Sequence, residues 1–293
     1  MITSLDILWA TFIAVGYTAL AFVNKSRYGT RISPDGEYYA KMSKGEPVPL
    51  PYSFRPLIPM MCKTWDAWFA STYVHIGMIG YMYYLLAISL GCSQVQAASA
   101  SVCLAMSKYH VRLMSFFPVL VDAPALAWGL ATAVTFMNGY IGLGFACMVI
   151  ASLVSEKSNL FAAIWSGSVL PITGYMITFF ANLFVTEDTE PTGRDWLDEP
   201  FATAMKNLKE MWAKSPWQFV TPFGIGLLAL QSTNVLVWAG IAAALLPIVR
   251  SMDYGRLASW AYPLMIIEAV KIFPTALLPV LPIVHQFISE TEY

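Results

Sequence analysis

Long apolar runs constrain the fold of this chain more than any other feature of its sequence. Runs of about 17 to 30 mainly apolar residues recur along it, and ~20 such residues in a helix cross the hydrocarbon core of a bilayer. Only 12% of the 293 residues are charged, about half of the ~25% found in soluble domains. That is too little charge to cover the surface of a soluble globule. The sequence therefore predicts an all-α, polytopic integral membrane protein with one membrane domain over residues 1–293.

The apolar runs predict about eight membrane-spanning helices, with a range of seven to nine. They cover about 7–23, 67–90, 92–106, 113–136, 139–154, 158–184, 219–249 and 257–284. The first is expected to be a retained helix, because no basic residue precedes it and no small-residue cleavage site follows it. The run 219–249 contains a polar interruption, so it is either one tilted helix or two short half-helices. It is counted as one crossing.

The first of two polar segments covers about 24–66. Within it, Ser33 and Pro34 predict the start of a short amphipathic surface helix, because Ser caps helices and Pro fits a first helical turn. Gly45 can end that helix. A proline-rich stretch that cannot be helical then leads into the next apolar run.

The second polar segment covers about 185–218 and begins with acidic residues. After Pro200, apolar residues recur at helical spacing on one face, which predicts an amphipathic helix. These residues are Phe201, Met205, Leu208 and Trp212. With lysines elsewhere on its surface, the helix is expected to lie in the membrane interface, parallel to the membrane.

Several function classes receive no support from the sequence. The net charge of −1 gives no global field that would attract nucleic acid. The phosphate-binding, dinucleotide-binding, zinc-protease and serine-hydrolase motifs are missing. The four cysteines form no CxxC pair and are interpreted as core-packing thiols, and the dispersed histidines as core or interface residues.

Cations are concentrated in alternate connections between the predicted helices. If eight helices cross, both termini and 185–218 lie on one face, and 24–66 lies on the other with most of the Lys and Arg residues. The positive-inside rule would make the face of 24–66 cytoplasmic. The alternative is that these cations bind phosphates and carry no information about orientation.

The same face contains most candidates for chemistry. Asp35 and Glu37 could act as general base or metal ligand, or merely complement the dipole of a helix start. Arg55 lies between prolines and aromatics and could bind a phosphate through two parallel hydrogen bonds, or only contact lipid headgroups. A functional cavity here would also involve Lys108, Arg112, Asp122, Glu156, Lys157, Asp253 and Arg256. The alternative is that these charges form only a solvated surface.

One further pair lies inside the last predicted span. Glu268 and Lys271 are three residues apart and share a helix face, so they can neutralise each other within the membrane. They could form a gate or a proton or ion site. The alternative is a structural pair that faces the helix bundle.

Several short motifs follow one another in a characteristic order. An acidic residue and paired aromatics, Asp35 to Tyr39, precede the stretch Pro-Tyr-Ser-Phe-Arg-Pro-Leu-Ile-Pro at 51–59. Asp122-Ala123-Pro124, Glu156-Lys157-Ser158 and Asp-x-x-Arg at 253–256 come later. This order resembles that of bacterial polytopic membrane proteins related to the GT-C glycosyltransferases, which use polyprenyl-phosphate sugars.

The resemblance implies a function at the surface of the bacterial inner membrane. Asp35 or Glu37 would activate the acceptor, and Arg55, Lys157 or Arg256 would hold a lipid-linked phosphate. The protein would transfer a sugar from a polyprenyl-phosphate donor, with Arg and Lys or a divalent metal stabilising the departing phosphate. The alternative is a non-catalytic polytopic protein with membrane lipids as partners, either a transporter or one subunit of a larger membrane assembly.

Overall fold

The computed structural model describes residues 2–48, 52, 55–184, 200–214, 221–245 and 259–290. All regular elements within these ranges are helical, which confirms the all-α prediction. Asp253 and Arg256 lie outside the described residues, as do the acidic residues at 185–199 and the side chain of Glu156.

Fourteen α-helices and several shorter turns make up this described part. The first seven helices are α1 Ser4–Tyr28, α2 Pro34–Ser43, α3 Leu57–Met61, α4 Trp65–Ser89, α5 Gln94–Met106, α6 Leu113–Phe116 and α7 Asp122–Met137. The others are α8 Ile141–Val154, α9 Glu156–Ser166, α10 Leu170–Phe184, α11 Pro200–Lys214, α12 Val235–Leu245, α13 Tyr262–Ile272 and α14 Leu281–Glu290. A π-helical turn covers Lys108–Arg112, and 3₁₀ segments cover Thr221–Gln231, Ser259–Ala261 and Thr275–Leu277.

The long helix α4 forms the centre of the bundle and packs against α1, α5 and α7. Its contact with α1 is antiparallel and close, because glycine brings the two backbones together. A Cβ atom on Gly77 would lie 2.7 Å from Thr18 Oγ1, and Phe22 stacks on Tyr73 with ring centroids 4.4 Å apart. The predicted helices at 7–23 and 67–90 are therefore confirmed, and each is extended or shifted by a few residues.

The predicted single helix at 158–184 is wrong, because the chain folds back at its middle. Gly167 adopts the left-handed conformation (φ 62°) that ends α9, and α10 then packs against α9. A Cβ atom on Gly174 would lie 2.6 Å from Asn159 Nδ2, whereas a straight helix would separate these residues by about 22 Å. Sequence hydropathy cannot detect this reversal, since both arms are apolar.

The run 219–249 also consists of two separate helical segments rather than one helix, which agrees with one of the two sequence alternatives. A 3₁₀ segment and α12 are separated at residues 232–234. Asn234, at this break, contacts Glu268 in the middle of α13, whereas α12 packs against Ser259–Ala261, which precedes α13. The chain therefore reverses direction along α13 at the polar interruption.

The last predicted span, 257–284, is likewise wrong as a single helix. Pro274 follows α13, where it interrupts the helical hydrogen-bond pattern, and a short 3₁₀ turn leads into α14. The rings of Tyr262 and His285 lie 6.5 Å apart, although a straight helix would place these residues about 34 Å apart. The sequence contained the necessary signal in Pro274, but not the direction in which the chain continues.

A smaller correction concerns the predicted helix at 113–136. It is interrupted at residues 117–121, between α6 and α7. Pro118 lies in this interruption, and its carbonyl oxygen accepts a hydrogen bond from Thr72 on α4 (2.8 Å). The break therefore anchors the start of α7 to the central helix.

The outer surface of the bundle is strongly apolar. Phe12 on α1, Leu143 on α8 and Ile177 on α10 are 61%, 58% and 68% exposed. Among the described residues, α1 is the one helix whose length and mean hydropathy meet the usual requirements for a membrane span, and α8 and most of α12 are shorter apolar helices.

Candidate functional site

The first polar segment forms the helix that its sequence predicts. The Ser33 side chain accepts a hydrogen bond from the Gly36 backbone N–H (3.0 Å), and Pro34 occupies the first turn. The helix ends at Ser43, and Gly45 follows with φ 79°. Local capping signals thus fix the position of Asp35 and Glu37 in the first turn of α2.

A cluster of three tyrosines, Tyr38, Tyr39 and Tyr52, joins Asp35 to Arg55. The Tyr52 hydroxyl donates to Asp35 Oδ1 (2.7 Å), and an Arg55 N–H donates to the Tyr39 hydroxyl (2.8 Å). The Tyr52 ring stacks on Tyr38 (4.5 Å between centroids) and meets the edge of Tyr39 (5.5 Å). The expected acid and the expected phosphate ligand therefore belong to one connected group, the tyrosine cluster.

The two candidate carboxylates have different surroundings. Asp35 is half-buried and oriented by Tyr52, whereas Glu37 is exposed. Partial burial raises the pKa of Tyr52, and the hydrogen bond to the Asp35 carboxylate raises this pKa further. Because Tyr52 therefore stays protonated, it remains a hydrogen-bond donor to Asp35 over the whole physiological range. This geometry favours Asp35 over Glu37 as the positioned acid.

Close backbone contacts hold α2 against the rest of the protein. A Cβ atom on Gly36 would lie only 2.7 Å from the Val119 carbonyl oxygen. The Arg31 N–H donates to the Phe116 carbonyl oxygen (2.8 Å). The interruption at 117–121 therefore has two roles. It anchors α7 to α4, and α2 with its tyrosine cluster packs against it.

The cations expected at this face lie on several different elements. Arg112 lies over the ring of Tyr28, 4.4 Å from its centroid, which places the π-helical turn beside the C-terminal end of α1. Lys108 lies over the ring of Tyr109 (5.4 Å), and Lys157 is half-buried in the first turn of α9. Among these cations, Arg55 makes a direct hydrogen bond to the tyrosine cluster.

Asp122 occupies a different position, beside a buried histidine. It lines a small cavity together with His110, Tyr109 and Trp260. His110 is only 1% exposed, and its Nδ1 atom has no hydrogen-bond partner among the described residues. Burial, with a smaller contribution from the neighbouring His285, lowers the pKa of His110 to about 3, so this imidazole is neutral at physiological pH.

His285 completes this buried group, which sequence reasoning did not identify. Its Nε2 lies 2.7 Å from Ser107 Oγ, and the Ile225 backbone N–H donates to its Nδ1 (3.3 Å). Three separate parts of the chain therefore meet at one ring. No sequence spacing links them, because the contacts arise from the reversals in the C-terminal half.

The predicted pairing of Glu268 with Lys271 is present. Lys271 Nζ lies 2.8 Å from Glu268 Oε1. The Ser232 hydroxyl donates to Glu268 Oε2 (3.3 Å) and the Asn234 amide donates to Oε1 (3.4 Å). The polar interruption of 219–249 thus supplies two additional donors to Glu268, a role that its sequence did not reveal.

The described residues contain no group of three or more His, Cys, Asp or Glu side chains that could hold a metal ion. All four cysteines are free thiols and buried. Asp35, Arg55 and the tyrosine cluster provide the described part of the site with carboxylate, guanidinium and phenol groups.

Comparisons with known proteins give no match. No family model matches the chain, and no curated protein or solved structure matches it.

Proposed function

We propose that this protein is a multi-pass integral membrane protein of the bacterial inner membrane. The support is the apolar outer surface, where large side chains on α1, α8 and α10 are more than half exposed. Monomeric proteins in water rarely expose large contiguous apolar patches. A bilayer removes this penalty, because lipid chains cover the exposed side chains.

The chain reversals change the expected count of eight crossings. We infer that α1, α4, α5, α7 and α8 cross the membrane, while each of the three later segments enters and leaves on one face. The total number of crossings is then odd. The second polar segment, with α11, would lie on the same face as the first polar segment rather than opposite to it.

Single-cysteine labelling with a membrane-impermeant thiol reagent tests this topology. Ser26→Cys at the end of α1 and Ala213→Cys on α11 occupy exposed positions, and the native cysteines are buried. Both variants should be labelled from the same side of oriented vesicles. Labelling from opposite sides would restore the topology of eight crossings.

The function that the tyrosine cluster supports best is glycosyl transfer from a polyprenyl-phosphate sugar to an acceptor at the membrane surface. The observation that carries this proposal is the connection of Asp35 to Arg55 through Tyr52 and Tyr39. It joins a positioned carboxylate to a guanidinium at one end of the bundle. These are the two groups that the reaction needs.

In this mechanism, Asp35 accepts the proton of the acceptor hydroxyl as its oxygen attacks the anomeric carbon. A new carbon–oxygen bond forms to the sugar, and the bond from the sugar to the phosphate oxygen breaks. The phosphate leaves with the bonding electron pair, and Arg55 stabilises its charge through paired hydrogen bonds. Tyr52 orients Asp35, and Tyr39 orients Arg55.

Replacing Arg55 with Lys tests the phosphate role. Lys keeps the charge but loses the planar fork, so binding of a polyprenyl-phosphate probe should weaken by ~1.5–3 kcal/mol. Arg31→Lys provides a matched control, since Arg31 is exposed over the ring of Phe116. Equal probe affinities for wild type and Arg55→Lys, measured in the same detergent, would remove the support for the enzyme.

A transporter or a subunit of a membrane assembly is the second candidate. It is favoured by the Glu268–Lys271 pair, because Glu268 also contacts the polar break at 232–234 that separates the Thr221–Gln231 segment from α12. Interrupted helices and intramembrane charges are typical of transport sites. Glu268→Gln should abolish pH-driven flux into proteoliposomes if this candidate is correct, but should leave glycosyl transfer intact if the protein is the proposed enzyme.

A further inference from the structure

A long apolar groove lies between α1 and α4, on the outer surface of the bundle. Its volume is about 650 Å³. Small residues form its floor, because Gly77 and Ala14 leave no side-chain bulk between the helices. Larger side chains form its walls, namely Phe22, Val74 and Tyr81.

The groove runs along the helices toward the face that contains the first polar segment. The antiparallel pairs along the α1–α4 contact are Thr18 with Gly77 and Phe22 with Tyr73. One turn beyond Phe22, Lys25 Nζ lies 3.9 Å from the centroid of the Phe69 ring. The apolar groove therefore ends at an ammonium group.

Lys25 lies where a lipid headgroup would be. It is in the last turn of α1, and it is exposed. Trp65 packs on Phe69 with ring centroids 5.1 Å apart, and aromatic residues of this kind collect at the membrane interface. Arg27, also exposed, adds a second positive charge in the same turn.

We propose that the α1–α4 groove binds one acyl chain of an anionic glycerophospholipid, whose phosphate contacts Lys25. The groove provides apolar contact for the chain, and the bilayer already contains the ligand. The ammonium group of Lys25 selects for negative charge, because a cation near the membrane surface attracts anionic lipid by ~1 kcal/mol. This site depends on membrane integration, but it does not depend on glycosyl transfer.

Competitive lipid retention measured by native mass spectrometry tests the proposal. Purified protein is mixed with equal amounts of phosphatidylglycerol and phosphatidylcholine of identical chains. Wild type should retain phosphatidylglycerol in preference. Lys25→Gln should reduce that preference about fivefold, which is the equivalent of ~1 kcal/mol. Lys44→Gln, at the exposed end of α2, should leave the preference unchanged.

The position of the acyl chain is tested by filling the groove with a larger side chain. Ala19 lines the groove and is exposed, so Ala19→Phe should reduce the retention of both phospholipids. Ala146→Phe makes the same change at an exposed position of α8 and serves as the control. Unchanged retention in Ala19→Phe would overturn the proposal. Equal retention of the two phospholipids by wild type would also overturn it, as would retention of a polyprenyl phosphate with neither phospholipid.

Discussion

Replacing Tyr52 with Phe removes one hydroxyl from the tyrosine cluster and leaves the ring contacts in place. The lost hydrogen bond is 2.7 Å long and ends on a carboxylate oxygen of Asp35. Hydrogen bonds to charged groups contribute ~1.5–3 kcal/mol. Asp35 is only half-buried, so water can replace the hydroxyl in part, and we expect the lower end of this range.

A double-mutant cycle isolates this energy. Asp35 also lies in the first turn of α2, where a negative charge stabilises the helix dipole by ~0.3–1 kcal/mol. Asp35→Asn alone therefore mixes two effects, whereas the cycle with Tyr52→Phe cancels the dipole contribution. The expected coupling energy between the two side chains is ~1.5 kcal/mol, the lower end of the range for a hydrogen bond to a charged group.

Hydrogen exchange of the α2 backbone amides gives the required free energies, because it reports local opening rather than global unfolding. Tyr38→Phe serves as the control, since it keeps the ring that stacks on Tyr52. A coupling energy near zero would refute the reasoning, and it would show that Tyr52 does not orient Asp35. Coupling of similar size between Asp35 and Tyr38 would refute it equally.

Three further predictions concern other parts of the molecule. Gly36→Ala should displace α2 at a cost of ~1–3 kcal/mol, because its Cβ atom would lie 2.7 Å from the Val119 carbonyl oxygen. Limited proteolysis of the first polar segment should therefore become faster. Gly142→Ala, whose Cβ atom would lie in open space, should have no effect on this proteolysis. Because the pKa of His110 is lowered in the folded protein, the unfolded chain takes up a proton at a higher pH than the folded chain does. The free energy of unfolding should therefore decrease as the pH falls from ~6.5 toward 3. Unfolding measured in detergent across this range should show a smaller pH dependence in His110→Gln, and equal slopes would contradict the assignment. Spin labels along α11 should show its apolar face at lipid depth and its lysine face in water, and equal water exposure on both faces would reject an interfacial helix.

Local signals in the sequence determined much of the N-terminal half. The bounds of α1 and α4 follow from long apolar runs, and the start of α2 follows from Ser33 and Pro34. The pairing of Glu268 with Lys271 follows from their spacing on one helix turn. Each of these features depends on residues that are near neighbours in sequence, so hydropathy, capping and helical periodicity were sufficient.

The tertiary structure alone decided the direction of the chain in the C-terminal half. An apolar run of about 30 residues satisfies the same burial whether it continues straight or folds back, so hydropathy does not distinguish the two. Gly167 and Pro274 allow reversals, but packing selects them: α10 packs against α8 and α9, and α14 packs against α5 and the Thr221–Gln231 segment.

The site shows the same division between local and distant contacts. Sequence reasoning chose Asp35 and Arg55 from their chemistry and context. It did not identify Tyr52 as the residue that orients Asp35, because this hydrogen bond joins positions 17 residues apart. It also interpreted His285 only as a core or interface residue, although three distant segments meet there. Contacts of this kind depend on how whole helices pack, so they cannot be predicted from the amino acids that neighbour each residue in sequence.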